Sequence, residues 1–429
     1  MNISGLSFNA LPPIDLPFRF FLTAPIFIIL CACLILFSGE TLWVSRWHPN
    51  LLALTHGFTL GFITMVMMGA LLQLLPVIGG VGIAKPRLVV GVCHSSLVLG
   101  ILCLMKNFIW PSALFAISSL VFLSCSLGVY ITAFAWVLIK KLSRGDSIIG
   151  FRLAMSALFI VLFLGIGLLS QNSGFISINI MGKVLTNSHA LFGLVGWGSL
   201  LIISVSFQVI PMFHVAPSFP RRISTYLPSL LFILLMLFVF QPEHIMPFIV
   251  LIHGVFAITL LWVISKRKRK IPDSTIRFWQ LAALTLIGLN VFYFIPSKYL
   301  SAALNQQKTL IISTLYIYFY LVAVIQGMLL KILPFLSYTH LQQKCLVNFS
   351  AMQFIPNMHE FLNKKQAHWL FYLHIVTGVA LLYTLVLPNV YWVFSLLLLI
   401  EFSWLLYLMI KTIRLYYVTR NKINLSVNE

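Results

Sequence analysis

The chain has 429 residues, of which 60% are hydrophobic and only 8% are charged, and its mean hydropathy is +1.02. Soluble domains contain about 25% charged residues, so this composition excludes a soluble enzyme or binding domain and predicts an integral membrane protein. The formal net charge of +20 would indicate nucleic-acid binding only on a soluble basic surface, which the hydropathy excludes.

Twelve stretches long and apolar enough to cross a bilayer follow one another along the chain. They lie near residues 18–40, 51–79, 88–105, 110–139, 150–171, 187–213, 225–241, 245–265, 276–296, 309–333, 367–387 and 389–411. The first stretch lacks a basic head and a cleavage site, so we interpret it as a retained helix. We therefore expect an all-α polytopic bundle of about twelve transmembrane helices, forming one integral membrane domain in the lipid bilayer.

The basic residues indicate the topology. With this assignment, 23 of the 28 Lys and Arg residues fall on the side of the even-numbered loops and the C-terminal tail. Short loops rich in Lys and Arg stay cytoplasmic, which predicts that both termini are cytoplasmic. The densest basic run, 266–270, is then a cytoplasmic loop that attracts anionic lipid headgroups. No nucleic-acid partner is expected.

One pattern recurs on spans 2, 6 and 10. Each copy ends in a polar residue, two apolar residues and a proline, and the polar residues are Gln73, Gln208 and Lys331. The prolines are 135 and 123 residues apart (211 − 76 and 334 − 211). A histidine opens the first two copies, His56 and His189, and the third copy has none. This spacing predicts three pseudo-symmetric four-helix sets, approximately 18–140, 150–265 and 276–411, with a cytoplasmic loop over 335–366.

The histidines within the spans are candidates for function, because an imidazole in a lipid-embedded helix is costly unless it is paired. His56, His189 and His253 all belong to the outer half of the membrane in this topology. Neutral imidazoles at one level can bind haem iron or copper. Alternatively, each ring can donate a hydrogen bond to a backbone carbonyl or a hydroxyl. For His253, which precedes Gly254, such packing is the simpler interpretation.

Other polar residues lie within the predicted spans. Lys331 replaces the two glutamines of the first repeats, and we expect its ammonium to extend to the cytoplasmic headgroups. His374 can serve as a ligand or a proton-relay group. Glu401 is the only carboxylate well inside a span, so it must be protonated or paired. The six cysteines contain no Cys-x-x-Cys motif, which argues against a zinc site or a disulfide framework.

Twelve spans, three parallel sets, inner termini and outer-half histidines on spans 2 and 6 resemble the catalytic subunit of the haem–copper oxidases. The resemblance covers the whole chain in topology. It implies that His56 is a ligand of a low-spin haem and that His189 is a ligand of a copper centre.

The chain departs from this family at positions that oxygen reduction requires. Span 10, where the family has two haem ligands, contains no histidine, and only His244 lies beyond the end of span 7, where paired copper ligands are expected. Gly193 stands one turn after His189, in place of an acidic or cross-linked aromatic residue. The resemblance therefore implies a divergent member without oxygen reductase activity, similar to short oxidase-like bacterial membrane proteins and related to twelve-span nitric-oxide-response proteins.

Two hypotheses from different classes follow. In the first, the protein holds one b-type haem, or a single metal such as copper, through His56 and either His189 or His253. Its role is then electron transfer, gas sensing or cofactor handling, with a respiratory or haem/copper-handling membrane partner. The alternative is a cofactor-free membrane transporter or assembly scaffold, in which Glu401 and Lys331 are coupling or gating groups. The two retained histidines favour the first hypothesis, and the missing third histidine favours the second.

Overall fold

The computed structural model describes residues 12–79, 82–140, 146–176, 182–346 and 349–428, and within these ranges the chain is helical with no strand. Twelve helices there are long and apolar enough to cross a membrane, which confirms the predicted all-α polytopic bundle. They are α1 Asp15–Ser38, α2 Pro49–Leu74, α3 Pro86–Ile109, α4 Ala113–Ile139, α5 Ser147–Asn172, α6 Gly182–His214, α7 Arg221–Phe238, α8 Pro242–Ser265, α9 Ser274–Phe294, α10 Ala302–Lys344, α11 Lys364–Val386 and α12 Pro388–Leu425. Helices prevail because a bilayer offers no partner for unpaired backbone groups.

The starts of several helices follow from local sequence signals. Proline occupies the first turn of α2, α3 and α8, where its missing N–H removes no helical hydrogen bond. Asp273, Ser301 and Asn363 precede α9, α10 and α11, and each side chain accepts a hydrogen bond from a backbone N–H of the first turn. These polar caps lie where the chain enters each helix, at an end of the bundle.

Three helices, α2, α6 and α10, lie inside a ring formed by the other nine. In their most apolar windows 72%, 67% and 78% of the residues are buried, compared with 28–50% in the other helices. The ring order is α1, α3, α4, α5, α7, α8, α9, α11 and α12, with α12 packed against α1. Each successive group of four helices therefore contributes one inner helix and three outer ones. The outer helices keep one face for lipid, whereas the inner ones are enclosed.

Each inner helix contains a π-helical segment in its middle. The segments are Gly57–Thr64, Phe192–Ser199 and Tyr316–Val322. They begin 19, 19 and 18 residues before the repeated prolines (76 − 57, 211 − 192 and 334 − 316). The three segments contact one another, and the indole Nε1 of Trp197 donates to Oγ1 of Thr64 at 3.0 Å. Because π-helical turns are rare and concentrate at functional sites, the centre of the bundle is the candidate region for function.

A small residue seven positions before each repeated proline lets the inner helix approach the first helix of its set. A Cβ added to Gly69 would lie 2.9 Å from Phe20 of α1, and one added to Gly327 would lie 2.6 Å from Phe278 of α9. In the second set the roles are exchanged, because Ser204 of α6 packs directly against Gly150 of α5. Small residues at helix contacts are typical of membrane bundles. The three sets therefore share one packing contact.

The connection between α10 and α11 is shorter than the loop expected at 335–366. Helix α10 continues to Lys344, because Leu336 and Leu341 are buried and extend its apolar face. Pro334 lies inside this helix and does not end it, and Pro76 and Pro211 are likewise within helical segments. The connection holds a 3-10 helix, Phe349–Phe354, and one helical turn, Met358–Phe361.

Candidate functional site

His56 of α2 and His189 of α6 lie next to each other. Their ring centroids are 6.2 Å apart and the ring planes are inclined by 26°. Both rings are half-buried, and each histidine comes just before the π segment of its helix. Phe108 of α3 packs on His56 with a centroid distance of 5.2 Å, and Gly165 of α5 leaves room for the His189 ring. The pair therefore sits where the first two four-helix sets meet.

The hydrogen bonds leave ring nitrogens of this pair available. Nδ1 of His56 lies 2.8 Å from the carbonyl oxygen of Leu52. A carbonyl only accepts, so Nδ1 carries the proton and Nε2 of the neutral ring keeps its lone pair. Nδ1 of His189 is buried without a hydrogen-bond partner among the described residues. Each ring can therefore offer one nitrogen to a ligand.

Two neighbouring imidazoles with available nitrogens are a donor pair that could bind one metal ion. Across the described residues, no group of three or more His, Cys, Asp and Glu side chains could hold a metal ion. Two imidazoles alone do not complete a tetrahedral protein site, but they do complete the coordination of a haem iron, whose other four ligands come from the porphyrin. The donor set therefore fits haem better than an isolated copper or zinc ion.

His253 of α8, considered above as an alternative ligand, lies in a separate hydrogen-bonded network. Its Nδ1 is 2.8 Å from the carbonyl oxygen of Ile249, and its Nε2 is 3.0 Å from the hydroxyls of both Ser199 and Tyr316. The Ser199 hydroxyl is in turn 2.8 Å from that of Tyr320. Both ring nitrogens are engaged. These contacts favour the hydrogen-bonded alternative for His253, and its role as a metal ligand stays a prediction.

A second buried cluster joins His374 of α11 to Glu401 of α12. Nδ1 of His374 is 2.8 Å from Oε1 of Glu401, which also accepts a hydrogen bond from Nε2 of Gln326 at 2.6 Å. The hydroxyl of Tyr318 donates to Oε2 of Glu401 at 2.6 Å, and the Tyr318 ring stacks on His374 with centroids 4.4 Å apart. His374, Glu401 and Gln326 are fully buried. Glu401 is thus paired, as a carboxylate inside a membrane must be.

This His374–Glu401 cluster has spare hydrogen-bonding capacity. Nε2 of His374 and Oε1 of Gln326 are buried with no hydrogen-bond partner in the described part of the chain. Buried polar atoms are normally satisfied by protein or water, so this is a polar spot in an apolar interior. An imidazole that shares a hydrogen with a carboxylate can pass a proton between its two nitrogens. Gln326 and Tyr318 carry no sequence signal for this role, because each resembles an ordinary residue of a helix core.

The polar residues that close the three repeats have different surroundings. Gln73 is buried and its Nε2 donates to the carbonyl of Pro12 at 3.4 Å, whereas Gln208 is half-buried on α6. Nζ of Lys331 lies 2.9 Å from Oδ2 of Asp273, the residue that caps α9. The Lys331 ammonium is thus held by a carboxylate of the protein, and its extension to the headgroups stays a prediction. Asp273, which lies in a loop, was not among the residues predicted from sequence.

Comparisons with known proteins add no assignment for this arrangement. No protein-family model matches the chain, and no curated protein matches it in sequence.

Proposed function

We propose that this integral membrane protein binds one b-type haem between His56 and His189. The observation that carries the proposal is the 6.2 Å approach of two imidazole rings from different four-helix sets, with ring nitrogens left available. Bound haem would supply one-electron chemistry. His56 and His189 would both be ligands of the haem, which favours electron transfer over gas sensing and over oxygen reduction.

The chain's own residues hold and orient the ligands. The Leu52 carbonyl fixes the tautomer of His56 by accepting its Nδ1–H, an outer-shell contact of the kind that sets ring orientation in metal sites. Phe108 packs against the His56 ring and limits its rotation. The π segments that follow both histidines place the rings between α2 and α6. The protein thus contributes positioning, and a respiratory or cofactor-handling membrane protein is the proposed redox partner.

The proposed setting is a bacterial inner membrane with both termini in the cytoplasm. The distribution of Lys and Arg supports this orientation. The ring of three four-helix units, each with its second helix inside, supports the proposal of a divergent haem–copper oxidase-like fold.

The proposal is tested by the haem content of purified variants. We expect about one haem per chain in the wild-type protein, and a loss of at least about tenfold in His56→Ala and His189→Ala, because each removes one axial ligand. His244→Ala, which changes an exposed histidine of α8, is the matched control and should retain full haem content. Haem content that neither ligand substitution changes would refute the site.

The cofactor-free alternative, a transporter or scaffold, is favoured by a different observation. A fully buried carboxylate hydrogen-bonded to an imidazole, as in the His374–Glu401 cluster, is the arrangement that proton-coupled membrane proteins use. Proteoliposomes with an internal pH dye would report this function. Under this alternative the wild-type protein dissipates an imposed pH gradient faster than Glu401→Gln does, and equal rates would dismiss it.

A further inference from the structure

A cavity of about 100 Å³ opens at the end of the bundle where α1 begins and α12 ends. We call this end the basic end, because the loops after the even-numbered helices lie there. The cavity is lined by the end of α6, the α8–α9 loop, the start of α9, residues 330–334 of α10, the connection that follows α10 and the start of α11. Neither His56 nor His189 lines this cavity, and neither do Phe108 and Gly165, which pack against that pair.

The charge of the lining residues is strongly positive. Arg267, Arg269, Lys331 and Lys364 all line the cavity, and Asp273 is the only acidic residue among them. Although burial acts to raise the pKa of the Asp273 carboxyl, the neighbouring Lys331 ammonium and the Thr275 backbone N–H together hold that pKa below its usual range. Asp273 is therefore already ionised and paired with Lys331 at 2.9 Å. Three positive charges remain without a carboxylate in the cavity.

Two nearly fully buried side chains line the cavity and have polar atoms without hydrogen-bond partners, although Nδ1 of His214 lies 3.8 Å from Oδ2 of Asp273. His214 is 5% exposed and Ser274 is 4% exposed. Nε2 of His214 and Oγ of Ser274 have no hydrogen-bond partner in the parts of the chain that the structure describes, and the same holds for Nε of Arg267. A buried polar group without a partner costs about 1–3 kcal/mol. Their grouping around one cavity indicates that a ligand supplies the missing hydrogen bonds.

The three unpartnered atoms call for a hydrogen-bond acceptor, and the positive lining favours an acceptor with negative charge. The Ser274 hydroxyl and the Arg267 N–H are donors, and His214 donates from Nε2 when that atom is protonated. Ser274 is the first residue of the 21-residue helix α9, whose N-terminus carries a partial positive charge that attracts anions. A water needs about 10–15 Å³ of such space, so the cavity has room for several oxygen atoms.

We propose that this cavity binds an oxyanion of the phosphate class. Donors converge on it from α6, from the α8–α9 loop and from the start of α9, which suits a tetrahedral group with several oxygens better than a single carboxylate. The source of the phosphate is a membrane lipid headgroup or a soluble phosphate compound, since the cavity lies at the end of the bundle where both have access. This proposal does not depend on haem binding.

Thermal unfolding in detergent, with inorganic phosphate titrated at constant ionic strength, tests the site. We expect a saturable rise in the melting temperature of the wild-type protein. Arg267→Gln should weaken the apparent affinity by at least about tenfold, because it removes a charge-assisted hydrogen bond. Arg269→Gln, which changes an exposed side chain and so does not threaten folding, should also weaken it. Lys268→Gln is the matched control, because Lys268 is in the same loop but does not line the cavity.

The source is distinguished in lipid nanodiscs. If soluble phosphate is the ligand, the phosphate response persists in discs that contain phosphatidylglycerol. If a headgroup is the ligand, phosphatidylglycerol raises the melting temperature relative to phosphatidylcholine alone, and this rise is lost in Arg267→Gln but kept in Lys268→Gln. The proposal is overturned if neither phosphate nor phosphatidylglycerol stabilises the protein, or if all three variants respond as the wild type does.

Discussion

Glu401 illustrates how the bundle accommodates a carboxylate in its interior. Three donors from two other helices, on His374, Gln326 and Tyr318, converge on its two oxygens. A hydrogen bond to a charged group contributes about 1.5–3 kcal/mol, and a buried donor left without an acceptor costs a similar amount. The cluster therefore ties α10, α11 and α12 together as well as offering a site for a proton.

Glu401→Gln tests this interpretation. The amide keeps the shape of the side chain, but its NH₂ group faces donors, so at least one hydrogen bond is lost. We expect the free energy of unfolding to fall by about 1–3 kcal/mol. Glu243→Gln, at an exposed position on α8, should leave it unchanged. Equal melting temperatures of Glu401→Gln and wild type in detergent would contradict the hydrogen-bonding account.

Individual residues of the candidate site were predictable, but their contacts were not. His56 and His189 are identified by their place at the start of a repeated helix. They are nevertheless not equivalent, because they lie 20 and 22 residues before Pro76 and Pro211 (76 − 56 and 211 − 189). Two residues are about half a turn of an α-helix, so the repeat alone does not indicate which way each ring points. His374 and Glu401 are on different helices whose rotation no local pattern specifies.

The glycines of the bundle differ in how closely a neighbouring helix approaches them. Gly327 of α10 packs against Phe278 of α9, whereas no atom of another residue lies within 4 Å of a Cβ added at Gly288 on α9 among the described residues. The same substitution at these two glycines therefore has different consequences. At Gly327 the added methyl group must displace a buried aromatic residue, and overpacking of this kind costs about 1–3 kcal/mol.

Gly327→Ala and Gly288→Ala provide a matched pair. Alanine is favoured over glycine in a helix by about 0.8–1.0 kcal/mol, so we expect Gly288→Ala to be neutral or slightly stabilising. Gly327→Ala should unfold at a lower temperature than Gly288→Ala, because the contact with Phe278 outweighs the gain in helix propensity. Thermal unfolding of both variants in one detergent checks this. A Gly327→Ala variant as stable as Gly288→Ala would show that the helices are not closely packed there.

The π segments show what a sequence pattern leaves out. Helix α2 is predicted from its apolar length, but the eight residues Gly57–Thr64 have no periodicity that separates a π-helix from an α-helix. Their conformation depends on packing against the other two inner helices. Helix α10 extends past its predicted end for a related reason, since Leu341 becomes apolar core only after tertiary packing. The lengths of the spans thus follow from local sequence, whereas the π-helical turns and the exact ends of the helices do not.

One feature of the overall architecture, the repeat of twelve spans, could be predicted from the sequence, whereas the arrangement of the helices could not. Twelve spans and their repeat follow from hydropathy and from three prolines. The closed ring of nine helices around three does not, because it depends on which faces of the helices meet. The bundle has one strongly basic end, which the proposed topology assigns to the cytoplasm.

Reporter fusions test this orientation. Green fluorescent protein fused after Glu429 should fluoresce, because it folds in the cytoplasm. Alkaline phosphatase inserted in the α9–α10 connection, near Ser297–Tyr299, should be active, because that connection lies on the opposite side. The reverse pattern in both fusions would show that the basic end faces outward and would overturn the proposed orientation.

The most direct test of the central claim is the absorption spectrum of the detergent-purified protein, oxidised and dithionite-reduced. Two axial imidazoles from His56 and His189 predict a low-spin haem b with a Soret band that shifts on reduction and sharp α and β bands. Both His56→Ala and His189→Ala should abolish these bands, while His244→Ala retains them. A wild-type protein without a Soret band, or with a band that survives both ligand substitutions, would contradict the haem site between α2 and α6.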